Sequence, residues 1–146
     1  MIDIKKMQGY NLIFSEIDAQ YHIIAERLGL SDSVSKILYT FICLDDKCAL
    51  KDLGYYTGLS KQTLNSAMQK LVKEGYFELE NIDKKSKVVV ITDKGKVLAE
   101  NTAGNIFAME NEIFSTWSKE EVDMYMSLSK RFLQSVKNMV NNDKTK

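Results

Sequence analysis

Between residues 49 and 92 the spacing of apolar side chains switches from a helical to a strand-like period, and few small folds accommodate that switch. Leu50 and Leu53 stand three apart and give a first helix an inner face. Gly54 suits a close approach of two helices, and Gly58 suits the positive φ that ends one. Leu59 then plugs a turn, and Ser60 is a side chain that can cap a following helix through its hydroxyl. Leu64, Ala67, Met68, Leu71 and Val72 recur at steps of three and four and form that helix's inward stripe. Gly75 stops it. Next come two short runs, Phe77–Glu80 and Val88–Thr92, the second rich in β-branched residues that favour a strand. The segment between them, NIDKKSK, is polar and carries Lys84, Lys85 and Lys87.

Helix, glycine turn, helix and basic hairpin is the order of a winged helix-turn-helix. The outward face of its second helix holds Ser60, Lys61, Gln62, Thr63, Asn65, Ser66, Gln69 and Lys70. Side chains of this kind can meet base edges and phosphates in a major groove. Lysines on a two-stranded ribbon suit phosphate or minor-groove contact. Lysines in a turn are also what any solvated hairpin carries; their place directly after such a helix favours the DNA reading.

Residues 59–100, LSKQTLNSAMQKLVKEGYFELENIDKKSKVVVITDKGKVLAE, make the chain resemble the MarR family of bacterial transcriptional regulators. The matching features are the helix end from Leu71 to Gly75, the acidic Asp83 in the wing, and the closing segment Ile91, Thr92, Asp93, Lys94 and Gly95. Lys85 stands where the family usually has arginine, which keeps the charge and loses the planar fork. The resemblance implies a homodimer whose first and last helices interlock. It also implies repression at a promoter, relieved by a ligand that changes the spacing of the two DNA-binding lobes. Activation stays open.

The flanks fit that plan. Tyr10, Phe14, Ile17, Tyr21, Ile24 and Leu28 form a heptad-like seam on one long helix that stops at Gly29. Ser31 can cap a second helix with Val34, Ile37, Leu38, Phe41 and Ile42 inside. Thr92 can cap a helix reaching about Ser115 with a bend near Gly104, and Ser118 with Glu121 makes a capping box for the last helix. That helix carries the stripe Val122, Tyr125, Met126, Phe132, Leu133, Val136 and Val140, and the tail NNDKTK is expected to fray. The expected architecture is mostly α with a small β-hairpin wing, one domain over 1–146. Within it, 34–92 would be the winged helix-turn-helix lobe, and 5–29 and 93–141 the dimerisation helices. Apolar stripes on terminal helices call for a partner surface, and a symmetric homodimer is the simplest one.

Charge looks at first like an objection, because 20 basic and 20 acidic side chains cancel. The distribution answers it. Residues 47–96 hold ten Lys and Arg against six Asp and Glu, so the excess of basic charge sits where the DNA reading needs it. No proline interrupts the helices, and no apolar run is long enough to span a membrane. With two cysteines and no secretory signal the expected compartment is the cytoplasm.

Phosphate loops, dinucleotide turns, nucleophile elbows and metal-protease helices are all missing from the sequence, and one histidine leaves little acid–base equipment. An enzyme, a cofactor and a metal site are therefore not expected. The expected partners are double-stranded DNA with a pseudo-palindromic operator, a second copy of the chain, and a small-molecule effector. Tyr21, Tyr39, Phe41, Phe107 and Trp117 are aromatic residues available to line an effector pocket, though such residues also build cores. A redox-sensing regulator using Cys43 and Cys48 is one alternative; there Cys43 reads as core and Cys48 as the more exposed thiol. A winged helix used for protein–protein contact is another. His22 shares a helical face with Asp18 and Glu26, a spacing that suits surface pairing better than a metal.

Overall fold

The computed structural model describes residues 1–143. The chain runs α1 (Ile4–Arg27), α2 (Asp32–Cys43), β1 (Lys47–Ala49), α3 (Leu50–Thr57), α4 (Lys61–Lys73), β2 (Phe77–Asn81), β3 (Lys87–Ile91), α5 (Asp93–Asn101), α6 (Ala103–Ser115) and α7 (Lys119–Asp143). It divides into two compact units, Met1–Phe107 and the segment from Ala108 onward. Among the described residues no helix is long and apolar enough to cross a membrane.

The capping residues read from the sequence all act as caps. Ser31 Oγ accepts from Val34 N–H at 3.3 Å, Ser60 Oγ from Thr63 N–H at 3.2 Å, and Thr92 Oγ1 from Gly95 N–H at 3.1 Å. Each satisfies a first-turn donor that has no partner inside its helix. At the far end of α4, Gly75 takes φ +80°. Tyr76 N–H then reaches back to Leu71 C=O at 2.9 Å and Gly75 N–H to Val72 C=O at 3.0 Å, the two bonds of a Schellman stop.

The core of the first unit joins α2, α3, α4 and the sheet. Ile37, Leu38, Leu53, Met68, Leu71, Phe77 and Val89 are almost wholly removed from solvent. Phe41 of α2 meets Phe77 of β2 edge-on, with ring centroids 5.0 Å apart. The sheet has three antiparallel strands in the order β1-β3-β2. Cys48 faces Val89 across one ladder, and Leu79 faces Val89 across the other. The expected hairpin is therefore present, with Asn81 and Lys87 inside its strands, and β1 is an addition that the sequence did not announce. A strand of three residues has no period to read; its pairing with β3 creates it.

Thr92 and Gly95 join the wing to α4. The Thr92 hydroxyl donates to Gly75 C=O at 2.7 Å and lies 3.0 Å from Tyr76 C=O, while Thr92 N–H donates to Tyr76 C=O at 3.1 Å. Gly95 lets α5 pass over that same carbonyl, because a Cβ there would sit 2.1 Å from Tyr76 O. Lys94 Nζ donates to Glu74 C=O at 2.6 Å and lies over the Tyr76 ring, 4.5 Å from its centroid. The Ile91–Gly95 segment is thus a clasp that fixes where α4 ends relative to the hairpin.

One expectation about the helices is corrected. The segment after the wing is not one helix bent near Gly104; it breaks at Thr102, with φ −123° and ψ −81°. The buried Thr102 hydroxyl donates to Leu98 C=O at 2.6 Å, and its N–H turns to Ala99 C=O at 3.3 Å. A β-branched residue with its own hydroxyl–backbone bond competes with the helical ladder, and α6 starts again at Ala103. Of the tail, Asn141, Asn142 and Asp143 belong to α7. The rest of NNDKTK lies outside the described residues.

Apolar side chains stay uncovered on both terminal helices. Along the expected seam of α1, Phe14, Ile17 and Tyr21 are exposed while Tyr10, Ile24 and Leu28 are half-buried; among its residues Ala25 is the buried one. In the second unit, Phe132, Leu133, Val136 and Val140 of α7 are between 42% and 56% exposed. The capping box expected there is formed, with Ser118 N–H to Glu121 Oε2 at 2.7 Å and Glu121 N–H to Ser118 Oγ at 3.1 Å.

Candidate nucleic-acid interface

Gly58, at φ +66°, ends α3 and turns the chain into α4. The buried Thr57 hydroxyl locks the turn from inside by donating to Leu53 C=O at 2.8 Å. With Leu64, Ala67, Met68 and Leu71 held in the core, helix geometry fixes what the rest of α4 presents. Gln62, Ser66 and Gln69 form the crest, within about 30° of the direction opposite the buried stripe at 100° per residue. Lys61 and Asn65 lie on one flank of the crest, Thr63 and Lys70 on the other. All seven side chains are exposed. Ser60 is exposed as well, but its hydroxyl is engaged in the cap, where it also donates to Thr63 Oγ1 at 2.9 Å.

The wing is shaped by Asp83. One of its carboxylate oxygens accepts from Lys85 N–H at 2.7 Å and Ser86 N–H at 2.8 Å, and Ile82 N–H to Ser86 C=O closes the loop at 3.0 Å. Those two backbone donors hold the Asp83 carboxyl below the usual carboxylate range. The tip therefore has a defined bend, from which the exposed Lys84, Lys85 and Lys87 project. Alternation along the strands separates charge by face. Lys87 is in phase with the buried Val89 and Ile91, whereas Glu78 and Glu80 pair with Val90 and Val88 on the opposite face. Lys47 meets Glu80 on that face, Nζ to Oε2 3.7 Å.

A groove of about 750 Å³ runs between α4 and the wing. Lys61 and Asn65 line it from α4, and Lys85 and Lys87 from the wing. The floor is apolar, with Leu50, Leu59 and Leu64. Four of the sequence-expected residues thus converge on one concave, basic surface, with the crest of α4 beside it. Lys84 and the crest residues do not line the groove. Lys51 and Asp52 of α3 also line it, and sequence reading missed both. No signal short of the fold would have found them, since they precede the glycine turn and belong to the first helix.

The cysteines are placed opposite to expectation. Cys43 is exposed and Cys48 buried; both are free thiols. Cys43 is the last residue of α2, one step past the buried face, whereas pairing of β1 with β3 turns Cys48 inward. Burial, and then the nearby Asp52 carboxylate, push the Cys48 thiol pKa up, which disfavours the thiolate a redox sensor needs. The aromatic residues considered for an effector site have separate duties. Phe41 is core, Tyr39 pairs with Phe107 at 6.3 Å between centroids, Tyr21 is on the exposed face of α1, and Trp117 packs on Phe114 and Tyr125 in the second unit.

His22 pairs with Glu26 as its spacing suggested, Nε2 to Oε1 3.3 Å, but its second partner is Asp32 of α2 rather than Asp18. Nδ1 is 2.9 Å from both Asp32 oxygens. The Asp32 hydrogen bond, then the Asp32 and Glu26 charges, raise the His22 pKa. Among the described residues no group of His, Cys, Asp and Glu is arranged to hold a metal ion.

The fold has counterparts among solved structures. A MarR family transcriptional regulator from Silicibacter pomeroyi superposes with a TM-score of 0.72 at 20% identity, covering 87% of this chain and 86% of the other. The fold is that of the MarR family regulators. A member from Streptomyces coelicolor, solved in complex with DNA, gives 0.72 at 17% identity over 92% of this chain and 90% of its own. MepR of S. aureus, also solved as a DNA complex, gives 0.69 at 16% identity over 93% of this chain and 99% of its own. No family model matches the sequence, and no curated protein matches it either. At these identities the shared property is the MarR-like fold, and residue roles in this chain rest on its own geometry.

Proposed function

We propose that this protein is a sequence-specific, double-stranded-DNA-binding transcriptional regulator, not an enzyme, acting in the cytoplasm as a homodimeric repressor that responds to a small ligand. The observation that carries the reading is the basic groove between α4 and the wing, set beside a crest of amide and hydroxyl side chains. Gln62, Ser66 and Gln69 would meet base edges in the major groove, with Thr63 and Asn65 at its margins. Lys61, Lys70, Lys84, Lys85 and Lys87 would neutralise phosphates, and Ser60 would present the capped N-terminus of α4 to the backbone.

The uncovered apolar stripes of α1 and α7 support dimerisation through the terminal helices, 5–29 and 93–141, leaving 34–92 as the DNA-binding lobe. A two-fold dimer would set its two α4 helices about 34 Å apart, one DNA turn, and so read a pseudo-palindrome. Repression by promoter occupancy, and its relief by a ligand, belong to the same proposal, and the similarity of fold to the MarR regulators supports them.

The decisive experiment selects bound sequences from a random duplex pool. A two-fold-related motif with half-sites one turn apart is expected. Absence of enrichment, together with weak binding at low salt, would refute the DNA reading and favour a protein-contact module.

A further inference from the structure

The groove has a third wall, built by α3. Lys51 and Asp52, in the first turn of that helix, both line it and are both exposed. Lys51 adds a fourth ammonium to those of Lys61, Lys85 and Lys87, so cations from α3, α4 and the wing surround one concave space. Asp52 brings the carboxylate among these lining residues. Its position also has a local reason: α3 starts from Ala49 without a side-chain cap, and an acid in the first turn suits the helix dipole.

We propose that this groove takes the sugar–phosphate backbone of one DNA strand, that Lys51 is a phosphate contact on its α3 wall, and that Asp52 opposes the same strand and limits how tightly any duplex is held. The occupant is chosen by shape and charge. A strand passing between the crest of α4 and the wing carries phosphates at a regular spacing, and lysines on three sides of an apolar floor match a polyanion with a less polar sugar edge. Neither Lys51 nor Asp52 is on the crest, so neither reads base edges. Together they act on affinity for all sequences, Lys51 raising it and Asp52 lowering it. The inference rests on the DNA reading above, and its test separates the two.

The selected duplex and a random duplex are titrated with the intact protein, Lys51→Ala, Lys51→Arg, Asp52→Asn and the triple variant Lys84→Ala/Lys85→Ala/Lys87→Ala, across a range of salt. Losing one phosphate contact removes about 0.9 from the slope of log affinity against log salt for each bound subunit. That corresponds to roughly eightfold weaker binding per subunit at 0.1 M salt and about fourfold at 0.2 M. Lys51→Ala is expected to show this loss equally on both duplexes, and Lys51→Arg to restore the slope. Asp52→Asn is expected to tighten both duplexes at low salt, with the gain shrinking as salt rises. Thermal unfolding of each variant checks that these exposed substitutions leave the fold intact. If Lys51→Ala keeps the parent slope while the triple variant loses it, Lys51 is not a phosphate contact, the α3 wall takes no part in holding the strand, and the DNA reading stands. If Asp52→Asn weakens binding or leaves it unchanged, the opposing role is wrong. If the parent binds neither duplex, the DNA reading falls and takes this inference with it.

Discussion

Gly95→Ala tests the clasp between α5 and the end of α4. The added methyl would lie 2.1 Å from Tyr76 O, 2.8 Å from Ile91 Cγ1 and 3.0 Å from the Tyr76 carbonyl carbon. Even a close C–H···O contact keeps carbon and oxygen about 3.3 Å apart, so α5 must retreat by roughly 1 Å. The obstacle is backbone, and Tyr76 O already accepts the Thr92 N–H bond at 3.1 Å. Retreat therefore also strains the Thr92 bonds. Two effects compete. Gly→Ala within a helix gains up to about 1 kcal/mol in propensity. Overpacking against a fixed neighbour costs about 1–3 kcal/mol or more. The clash should win, with a net loss of about 1–2 kcal/mol and a fall in Tm of several degrees, at roughly 3 °C per kcal/mol for a chain of this size. Urea unfolding followed by circular dichroism at one protein concentration gives the midpoint directly. Gly9→Ala in α1 is the control: within the subunit a Cβ added there would meet nothing within 4 Å, so helix propensity should raise the midpoint. If Gly95→Ala unfolds at the parent midpoint or above it, the close approach does not constrain the clasp and the reasoning is wrong.

Asp83→Ala removes the acceptor of two backbone bonds at the wing tip; DNA affinity should fall severalfold with little change in Tm, and equal affinity would show that the bend is unimportant. Because the Asp83 pKa is lowered on folding, the contribution of its carboxylate is present above the normal carboxylate range and is lost as pH falls through the lower, folded value. His22 behaves in the opposite sense: its folded pKa is raised, so its link to Asp32 contributes fully below about pH 6.5 and is lost as pH rises through the folded value. NMR titration should find His22 above 6.5 and Asp32→Asn should bring it down; a value at or below 6.5 in the parent would refute the pairing. Ile17→Glu places a charge on the exposed seam of α1; under the proposed dimerisation, sedimentation should show a dimer for the parent and a monomer for the variant. An unchanged dimer would exclude that seam.

The local signals were legible because their physics is local. Ser31, Ser60, Thr92 and Ser118 each act within one turn of their own helix, and a hydroxyl next to free N–H groups needs no distant partner. The stripe Leu64, Ala67, Met68 and Leu71 fixed both the inside of α4 and, by rotation, its crest. Cys43 and Cys48 were misread because apolar neighbours in sequence say little about a side chain at a helix end or in a strand of three residues. His22 found Asp32 rather than Asp18 because α2 folds back beside α1.

By itself, then, the sequence determined the order of helices, turn and wing, their caps and stops, and the side chains offered along α4. Tertiary structure alone decided that β1 joins the sheet, that the helix after the wing breaks at Thr102, and that Lys51 and Asp52 stand beside Lys85 and Lys87. The difference is one of range. Capping and periodicity act between residues three or four apart, whereas a ladder such as Cys48 against Val89, or a groove walled by α3 and the wing, exists only once segments some forty residues apart have packed together.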